Sequence, residues 1–279
     1  MTQSPGDRFA RLVDIMRTLR SPEGCPWDRE QTLQTLAPFV LEETYEVLDA
    51  IERHDLGALK EEVGDLLFEG VFLAQVASDH GAFTVADALQ TVADKLVRRH
   101  PHVFQEDGNV HDAASKERAP SATAALERWE SQKARERTKT GQPAGALAGL
   151  PGSLPALLRA FKIGKRAAAV GFDWQHTTDV VAKVEEEVAE LRDAVTLAPS
   201  DRAHIEEEMG DLLFALANLC RKLGIEPEAA LRRANDKFTT RFNEMERRFV
   251  ERDKRLEELT LAEMEAEWVR VKHDTTKTP

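Results

Sequence analysis

The sequence is poor in cysteine and has fewer basic than acidic residues, and each feature argues against a class of protein. It has two cysteines, Cys25 and Cys220, whose spacing fits no zinc motif. Isolated thiols of this kind indicate a reducing compartment, so we expect a cytoplasmic protein. Lys and Arg number 38 against 50 Asp and Glu, for a net charge of −12. This balance leaves no broad basic face, so we expect no nucleic-acid partner.

Long apolar runs are also missing. The longest, around residues 71–77, is far shorter than the roughly 20 residues that cross a bilayer. Residues 1–20 carry scattered charges and lack the apolar core of a signal peptide, so we expect no membrane partner. Aromatic residues make up 6%, whereas Leu, Ala, Glu and Arg are abundant, which favours helix. The predicted fold class is therefore all-α.

What the sequence does contain is an internal repeat. Residues 61–68, EEVGDLLF, return as residues 207–214, EEMGDLLF, and each copy follows an E-E-x-x-E cluster, at 42–46 and at 186–190. Two copies are too few for a solenoid, so the repeat predicts two tandem helical-bundle domains. We expect them to span residues 7–104 and 153–273. The segment 105–152 between them is rich in Pro and Gly, and is predicted to be a linker with one polar helix at 124–137.

Apolar periodicity and capping residues predict the helices of each unit. In the first unit they cover residues 7–19, a segment from near Pro38 to about residue 53, a segment from about 55 to 79, and a segment from about 84 to 100. In the second they cover 153–169, 178–195, 200–223 and 226–251, followed by a last helix from Thr260 with Glu263 in a capping box. Gly64 and Gly210 fall inside helices at a cost of about 1 kcal/mol relative to Ala. We therefore expect another helix or a ligand to approach them closely.

Carboxylates pair at helical spacing in both units. Glu187 and Glu190 are three residues apart and share a helix face, as do Glu208 and Asp211 on the next helix. A short turn near Pro199 makes these helices antiparallel, so that the two faces meet. Four converging carboxylates would repel one another unless a hard cation such as Mg²⁺ binds between them. The corresponding residues of the first unit are Glu43, Glu46, Glu62 and Asp65.

Other interpretations of the acidic residues are weaker. Any single glutamate could belong to an ordinary solvated helix face, but the paired motif occurs twice, each time beside Leu-Leu-Phe. A di-iron bundle would need Glu-x-x-His pairs, and no Glu in the sequence has His three residues later. Three His-Asp dipeptides fall in predicted loops or helix ends, which argues against a histidine–aspartate phosphohydrolase.

Basic residues follow the second acidic set. Lys237 and Arg241 are four apart and share a helix face suited to phosphate oxygens, with Asn235 beside them. Lys183 precedes Glu187 by one turn and could also reach a phosphate. Trp268 could stack on a nucleobase, an interaction worth about 1–3 kcal/mol. The alternatives are solvated charges for the basic residues and core packing for the tryptophan.

Together these residues resemble the MazG family of nucleoside triphosphate pyrophosphohydrolases. The matches are GCPWD at 24–28, the doubled E-x-x-E plus E-x-x-D, and NDKF at 235–238. They span nearly the whole chain except the linker and the tail. The resemblance implies a homodimer of all-α NTP pyrophosphatase domains with Mg²⁺ as cofactor and Mn²⁺ as the alternative. It also implies hydrolysis of NTPs, and of dNTPs, to monophosphate and pyrophosphate in nucleotide-pool control or house-cleaning.

The resemblance further implies roles for individual residues, mainly in the second unit. The first unit has Lys95 and Arg99 at the places of Lys237 and Arg241, but Ala93 stands where Asn235 does, which weakens its claim to activity. Either Glu186 or Glu207 could orient the attacking water. The implied metal ligands are Glu187, Glu190, Glu208 and Asp211. The implied substrate contacts are Lys183, Asn235, Lys237, Arg241 and Trp268.

Two other functions stay open at this point. A non-catalytic nucleotide sensor or helical partner-binding protein could carry the same metal site. An enzyme with one substrate, such as dCTP or dUTP, could use the same chemistry. We expect broad activity because Trp268 is the one obvious contact for a base.

Overall fold

The computed structural model describes residues 4–105, 107–112, 119, 121–125, 128–129, 132, 136 and 145–275. It divides the chain into two compact units, Met1–Glu136 and Arg137–Pro279. Both units are helical, which confirms the all-α class. In the described ranges the one β feature is an isolated antiparallel bridge between Phe104 and Val110. Each helix found there is too short or too polar to cross a bilayer.

The domain boundaries at 7–104 and 153–273 stay a prediction. The linker at 105–152 lies in part outside the described residues, and so does its polar helix at 124–137. The residues of that segment that are described, namely 124, 125, 128, 129, 132 and 136, are helical.

The first unit is built around one long helix. This helix, α4 (Leu56–Asp79), packs against α3 (Leu33–Glu52), α1 (Pro5–Leu19) and α5 (Val85–Arg99). Its apolar side chains Val71, Phe72 and Val76 form the core with Met16 and Leu36 from the neighbouring helices. The helices are α1 (Pro5–Leu19), α2 (Pro26–Glu30), α3 (Leu33–Glu52), α4 (Leu56–Asp79) and α5 (Val85–Arg99).

Helix α3 begins earlier than the sequence suggested. Thr32 and Thr35 form a reciprocal capping box, in which each side-chain oxygen accepts a hydrogen bond from the other's backbone N–H, at 3.2 and 2.8 Å. Pro38 therefore lies inside the helix, and the predicted start near Pro38 is wrong. Pro38 has no backbone N–H, so it removes one backbone hydrogen bond near the start of the helix. The helix nevertheless begins at the capping box.

The glycines divide into those with close neighbours and those without. A Cβ on Gly24 would lie 2.2 Å from the carbonyl oxygen of Leu19, so only glycine lets the loop before α2 pack against the end of α1. A Cβ on Gly64 or Gly210 would meet no described atom within 4 Å beyond its own helix. The expected close approach by another helix of this chain is therefore wrong at both positions.

In the described residues, the second unit repeats a packed helix pair and adds three further α-helices. Helix α7 (Thr177–Leu197) packs against α8 (Arg202–Lys222), and α8 packs against α6 (Ala156–Ala168). Helix α9 (Pro227–Val250) packs mainly against α10 (Leu261–Thr275) and α6. Asp201 caps α8, and the predicted capping box of Thr260 and Glu263 is confirmed, with N–H···O distances of 2.9 and 3.3 Å. The helices are α6 (Ala156–Ala168), α7 (Thr177–Leu197), α8 (Arg202–Lys222), α9 (Pro227–Val250) and α10 (Leu261–Thr275), with a 3₁₀ turn at Leu256–Glu258.

A buried carboxylate ties α10 to the end of α9. The Glu267 side chain is 1% exposed and accepts hydrogen bonds from Arg252 at 2.8 Å, Arg270 at 2.7 Å and Arg248 at 3.5 Å. These bonds hold the pKa of Glu267 at about 2 despite its burial, and the bond from Arg252 contributes most. The ionised carboxylate thus lies in a site that the three guanidinium groups make favourable.

This arrangement predicts how stability depends on pH. A carboxylate whose pKa is depressed by folding stabilises the protein above its unfolded pKa of 4.5. That stabilisation is lost as the pH falls towards the folded pKa. We expect Glu267→Gln to lower the free energy of unfolding by about 2–3 kcal/mol at pH 7. The deficit relative to wild type should shrink progressively as the pH falls below 4.5.

Urea unfolding followed by far-UV circular dichroism at several pH values measures this. Glu265→Gln is the matched control, because Glu265 is exposed on the same helix and should change stability by less than about 0.5 kcal/mol. Equal stability of the Glu267→Gln variant and wild type at pH 7 would contradict the prediction.

Candidate metal centres

Each unit brings three carboxylates together across one packed helix pair. In each group, one oxygen from every residue lies within 4.8 Å of the others. Two residues of the group come from the first helix and one from the second. The first group is Glu43, Glu46 and Glu62; the second is Glu187, Glu190 and Glu208.

The geometry of each group follows from a short turn between two helices. Residues 53–55 separate α3 from α4, with His54 in the left-handed region at φ 55°. Asp55 caps α4 by accepting hydrogen bonds from the N–H groups of Gly57 and Ala58, at 2.9 and 3.0 Å. Residues 198–201 play the same part between α7 and α8. Because acids three apart share a helix face, reversing the chain brings the two acidic faces together.

The fourth predicted ligand of each set lies outside these groups of three. Asp65 and Asp211 are exposed, three residues beyond Glu62 and Glu208 on the same helix. Asp65 nevertheless acts on the first group electrostatically, since its negative charge is among the causes that raise the pKa of Glu43 and Glu62.

Burial and repulsion act together on the first group. Desolvation is the largest cause of the raised pKa of Glu43, followed by the charge of Glu46. The pKa of Glu62 is raised by desolvation and then by Glu46. Oε2 of Glu43 is buried and has no hydrogen-bond partner. The first group therefore holds more negative charge than its surroundings compensate.

The second group includes a lysine. Nζ of Lys183 donates to Glu186 at 2.7 Å and lies 2.8 Å from Oε1 of Glu187, and these two hydrogen bonds raise the pKa of Lys183. Glu187 is 4% exposed, and its other oxygen, Oε2, has no partner. The pKa of Glu190 is raised, first by desolvation, although Lys183 opposes that shift.

Both groups fit a hard divalent cation. Their ligand atoms are all carboxylate oxygens, which Mg²⁺ and Mn²⁺ prefer over nitrogen or sulfur. Mg–O distances of about 2.1 Å place the oxygens of one shell within about 4.2 Å of each other, so a spread of 4.8 Å needs only small side-chain shifts. A cation would also give the unpartnered buried oxygens of Glu43 and Glu187 the positive charge they lack.

The other predicted phosphate and base contacts lie on α9 and α10. Asn235 and Lys237 are exposed on α9, and Arg241 is partly buried on the same helix. Trp268 packs beside the buried cluster of α9 and α10, with its ring 5.0 Å from that of Phe238. The core-packing alternative therefore describes the place of Trp268 within this chain, and its contact with a base stays a prediction.

Two residues near the groups were not predicted from the sequence as site residues. His204 lies with Nδ1 3.5 Å from Glu208, one turn earlier on α8. Glu69 is 6% exposed on α4, and its Oε2 has no hydrogen-bond partner. The spacing of Glu69, four residues after Asp65, was a usable signal, because residues at this spacing share a helix face.

Comparison with known proteins connects both groups to one family. A family model described as the MazG nucleotide pyrophosphohydrolase domain matches residues 31–104 and 175–245. The nucleoside triphosphate pyrophosphohydrolase of Escherichia coli K12 is 49% identical over 267 residues, which cover 95% of this chain and 97% of that protein. The nucleoside triphosphate pyrophosphohydrolase/pyrophosphatase MazG of Thermotoga maritima is 41% identical over 96% of each chain. The crystal structure of a mazG-related protein from Thermotoga maritima covers 44% of this chain and 97% of its own, at 30% identity and a TM-score of 0.36.

Proposed function

The chain belongs to the MazG family of nucleotide pyrophosphohydrolases, and we propose that it hydrolyses nucleoside triphosphates to monophosphates and pyrophosphate. We place the reaction in the second unit, with Mg²⁺, or alternatively Mn²⁺, as the cofactor. The observation that carries this proposal is the group of Glu187, Glu190 and Glu208 with Lys183 in contact with it. Relatives with 49% and 41% identity over nearly the whole chain are named for this activity.

The chemistry assigned to the second group needs both charge neutralisation and an activated water. A divalent cation bound here would supply both, because it would offset charge on the leaving pyrophosphate and lower the pKa of a water molecule. The three glutamates would hold the ion, and Asp211 extends the acidic face one turn along α8. Glu186 and Glu207 are both exposed, but Glu186 is hydrogen-bonded to Lys183, so we favour Glu207 as the group that orients the attacking water.

The triphosphate needs positive groups beside the ion. Nζ of Lys183 lies 2.8 Å from the ligand Glu187, so it can reach a phosphate oxygen bound to the same cation. We assign Lys237 and Arg241 to the outer phosphates, Asn235 to substrate contacts and Trp268 to the base. With one base contact of this kind, we propose broad activity on NTPs and dNTPs, in nucleotide-pool control or house-cleaning.

We also propose that the protein is a homodimer. Large apolar side chains remain exposed on the helices that carry the acids. They include Leu67 on α4 (52% exposed) and Met209 and Leu213 on α8 (44% and 45% exposed). The open space beside Gly64 and Gly210 lies on the same two helices. A second copy covering these helices would bury the apolar surface and give both glycines a close neighbour.

The products distinguish this reaction from other nucleotide chemistry. With Mg²⁺ and each of the eight common NTPs and dNTPs, we expect monophosphate and pyrophosphate in equal amounts, because the bond that breaks lies between the α and β phosphates. Ion-exchange chromatography of the nucleotides and a coupled pyrophosphate assay measure both. Release of diphosphate and inorganic phosphate would overturn the mechanism. Calorimetric nucleotide binding without turnover would identify a nucleotide sensor instead.

The two units are predicted to contribute unequally. Glu208→Ala should lower kcat at least about 10³-fold, because it removes a metal ligand from the group that holds Lys183. Glu62→Ala removes the corresponding ligand of the first unit and should leave most of the activity. Pyrophosphate release at saturating Mg²⁺ compares them, with far-UV circular dichroism as the check on folding. Equal losses in the two variants would refute the assignment of the reaction to the second unit.

The dimer is tested by its mass. Sedimentation equilibrium at micromolar concentration should give about twice the chain mass of 31.2 kDa. Leu213→Asp should shift the distribution towards single chains, because it places a charge in the buried interface. A mass of one chain for the wild type would contradict the proposal.

A further inference from the structure

The two units differ at one buried position just beyond the repeated octapeptide. Aligning residues 61–68 with 207–214 places Glu69 opposite Ala215. Both residues are 6% exposed, so the same buried position holds a carboxylate in the first unit and a methyl group in the second. Glu69 is therefore a buried acid at a position where the second unit has an alanine.

The Glu69 side chain lies beside the first carboxylate group and not among the three acids whose oxygens lie within 4.8 Å of one another. It follows Asp65 by one helical turn on α4, and its pKa is raised by desolvation and then by the charges of Glu43 and Asp65. Its Oε2 is buried without a hydrogen-bond partner, as is Oε2 of Glu43. A nearby positive charge would stabilise the ionised form of both carboxylates.

In the first unit, no lysine stands at the position that corresponds to Lys183. Aligning residues 42–46 with 186–190 places Phe39 opposite Lys183. Phe39 packs against the apolar core and lies 5.9 Å from the ring of Trp27. With the fourth predicted ligand counted, the second set has four acids beside a lysine. The first set has four acids at the same positions, Glu69 as a fifth acid one turn beyond Asp65, and an aromatic ring in place of the lysine.

We propose that the first unit is a nucleotide-independent site for a hard divalent cation, with Glu69 as its fifth carboxylate. This site binds Mg²⁺ or Mn²⁺ more tightly than the second unit does in the absence of nucleotide. The inference rests on the proposed function, because it takes the carboxylate groups to be divalent-cation sites.

The difference in affinity follows from the charges present before the ion arrives. In the second unit an incoming cation must compete with Lys183 for Glu187, and it is repelled by the ammonium group. A triphosphate would compensate there, because its negative charge would attract both the metal ion and the ammonium group of Lys183. In the first unit five carboxylates attract the ion. The desolvation cost of Glu43 and Glu69 arises when the protein folds, so it does not reduce the free energy of ion binding. The first unit therefore needs no nucleotide to hold its ion.

Titration of the full chain with Mn²⁺ without nucleotide, with free Mn²⁺ measured by electron paramagnetic resonance, tests the proposal. We expect one tight and one weaker class of site. Glu62→Ala should remove the tight class, and Glu208→Ala should remove the weaker one. Glu69→Ala, which installs the residue found at position 215, should weaken the tight class at least about tenfold. Glu69→Gln, which keeps the size of the side chain but not its charge, should also weaken it.

The matched control is Glu61→Gln. Glu61 is exposed on the same helix, so this variant removes one negative charge without touching the buried position, and the affinity of the tight class should change by less than about threefold. Loss of the tight class in Glu208→Ala, or an unchanged tight class in both Glu69 variants, would overturn the proposal.

Pyrophosphate release in the same samples separates this inference from the proposed function. Wild type and Glu69→Ala should turn over at similar rates at saturating Mg²⁺, because the reaction is assigned to the second unit. Normal turnover with an unaltered tight class in Glu69→Ala would contradict the proposed cation site but not the proposed reaction. Absent turnover in wild type, with the Mn²⁺ classes as expected, would instead sink the proposed reaction.

Discussion

Repulsion between carboxylates that helix packing forces together is the constraint on which both units depend. In the first unit, Val71, Phe72 and Val76 are buried further along α4, the helix that carries Glu62. Separating the acidic faces would mean exposing these side chains, at about 1.5–3 kcal/mol each. The core therefore fixes the acids in place, and the fold accommodates their charge by raised pKa values and, in the second unit, by Lys183.

Features set by local spacing could be predicted from the sequence. The acids three residues apart, the caps at Asp55 and Thr84, and the box of Thr260 with Glu263 depend on residues within one helical turn. The structure has these caps, and it groups three of the four acids in each unit. The start of α3 was misjudged because two local signals compete there, and the capping box at Thr32 prevails over Pro38.

Features set by tertiary packing could not be predicted in the same way. Whether Trp268 faces a ligand or the core depends on how α10 lies against α9, which no local pattern specifies. The neighbour expected beside Gly64 and Gly210 is not another helix of this chain, for a related reason. A helical glycine indicates that a close neighbour would fit, but not which molecule supplies it. Glu69 was overlooked because its burial depends on the packing of α4 against three other helices, although its spacing from Asp65 was visible in the sequence.

Duplication explains how one chain can carry two versions of the same carboxylate arrangement with different charge balances. The second unit has Lys183 beside its carboxylate group, so a positive charge lies next to the acids. In the first unit, Arg99, which takes the place of Arg241, already pairs with Glu136 at 2.6 Å, and Arg98 pairs with the same carboxylate at 2.7 Å. A triphosphate entering the first unit would have to displace that carboxylate, and it would find Phe39 at the position of Lys183. Under the proposed assignments, the same helix pair would hold a cation in one unit and a cation with a phosphate chain in the other.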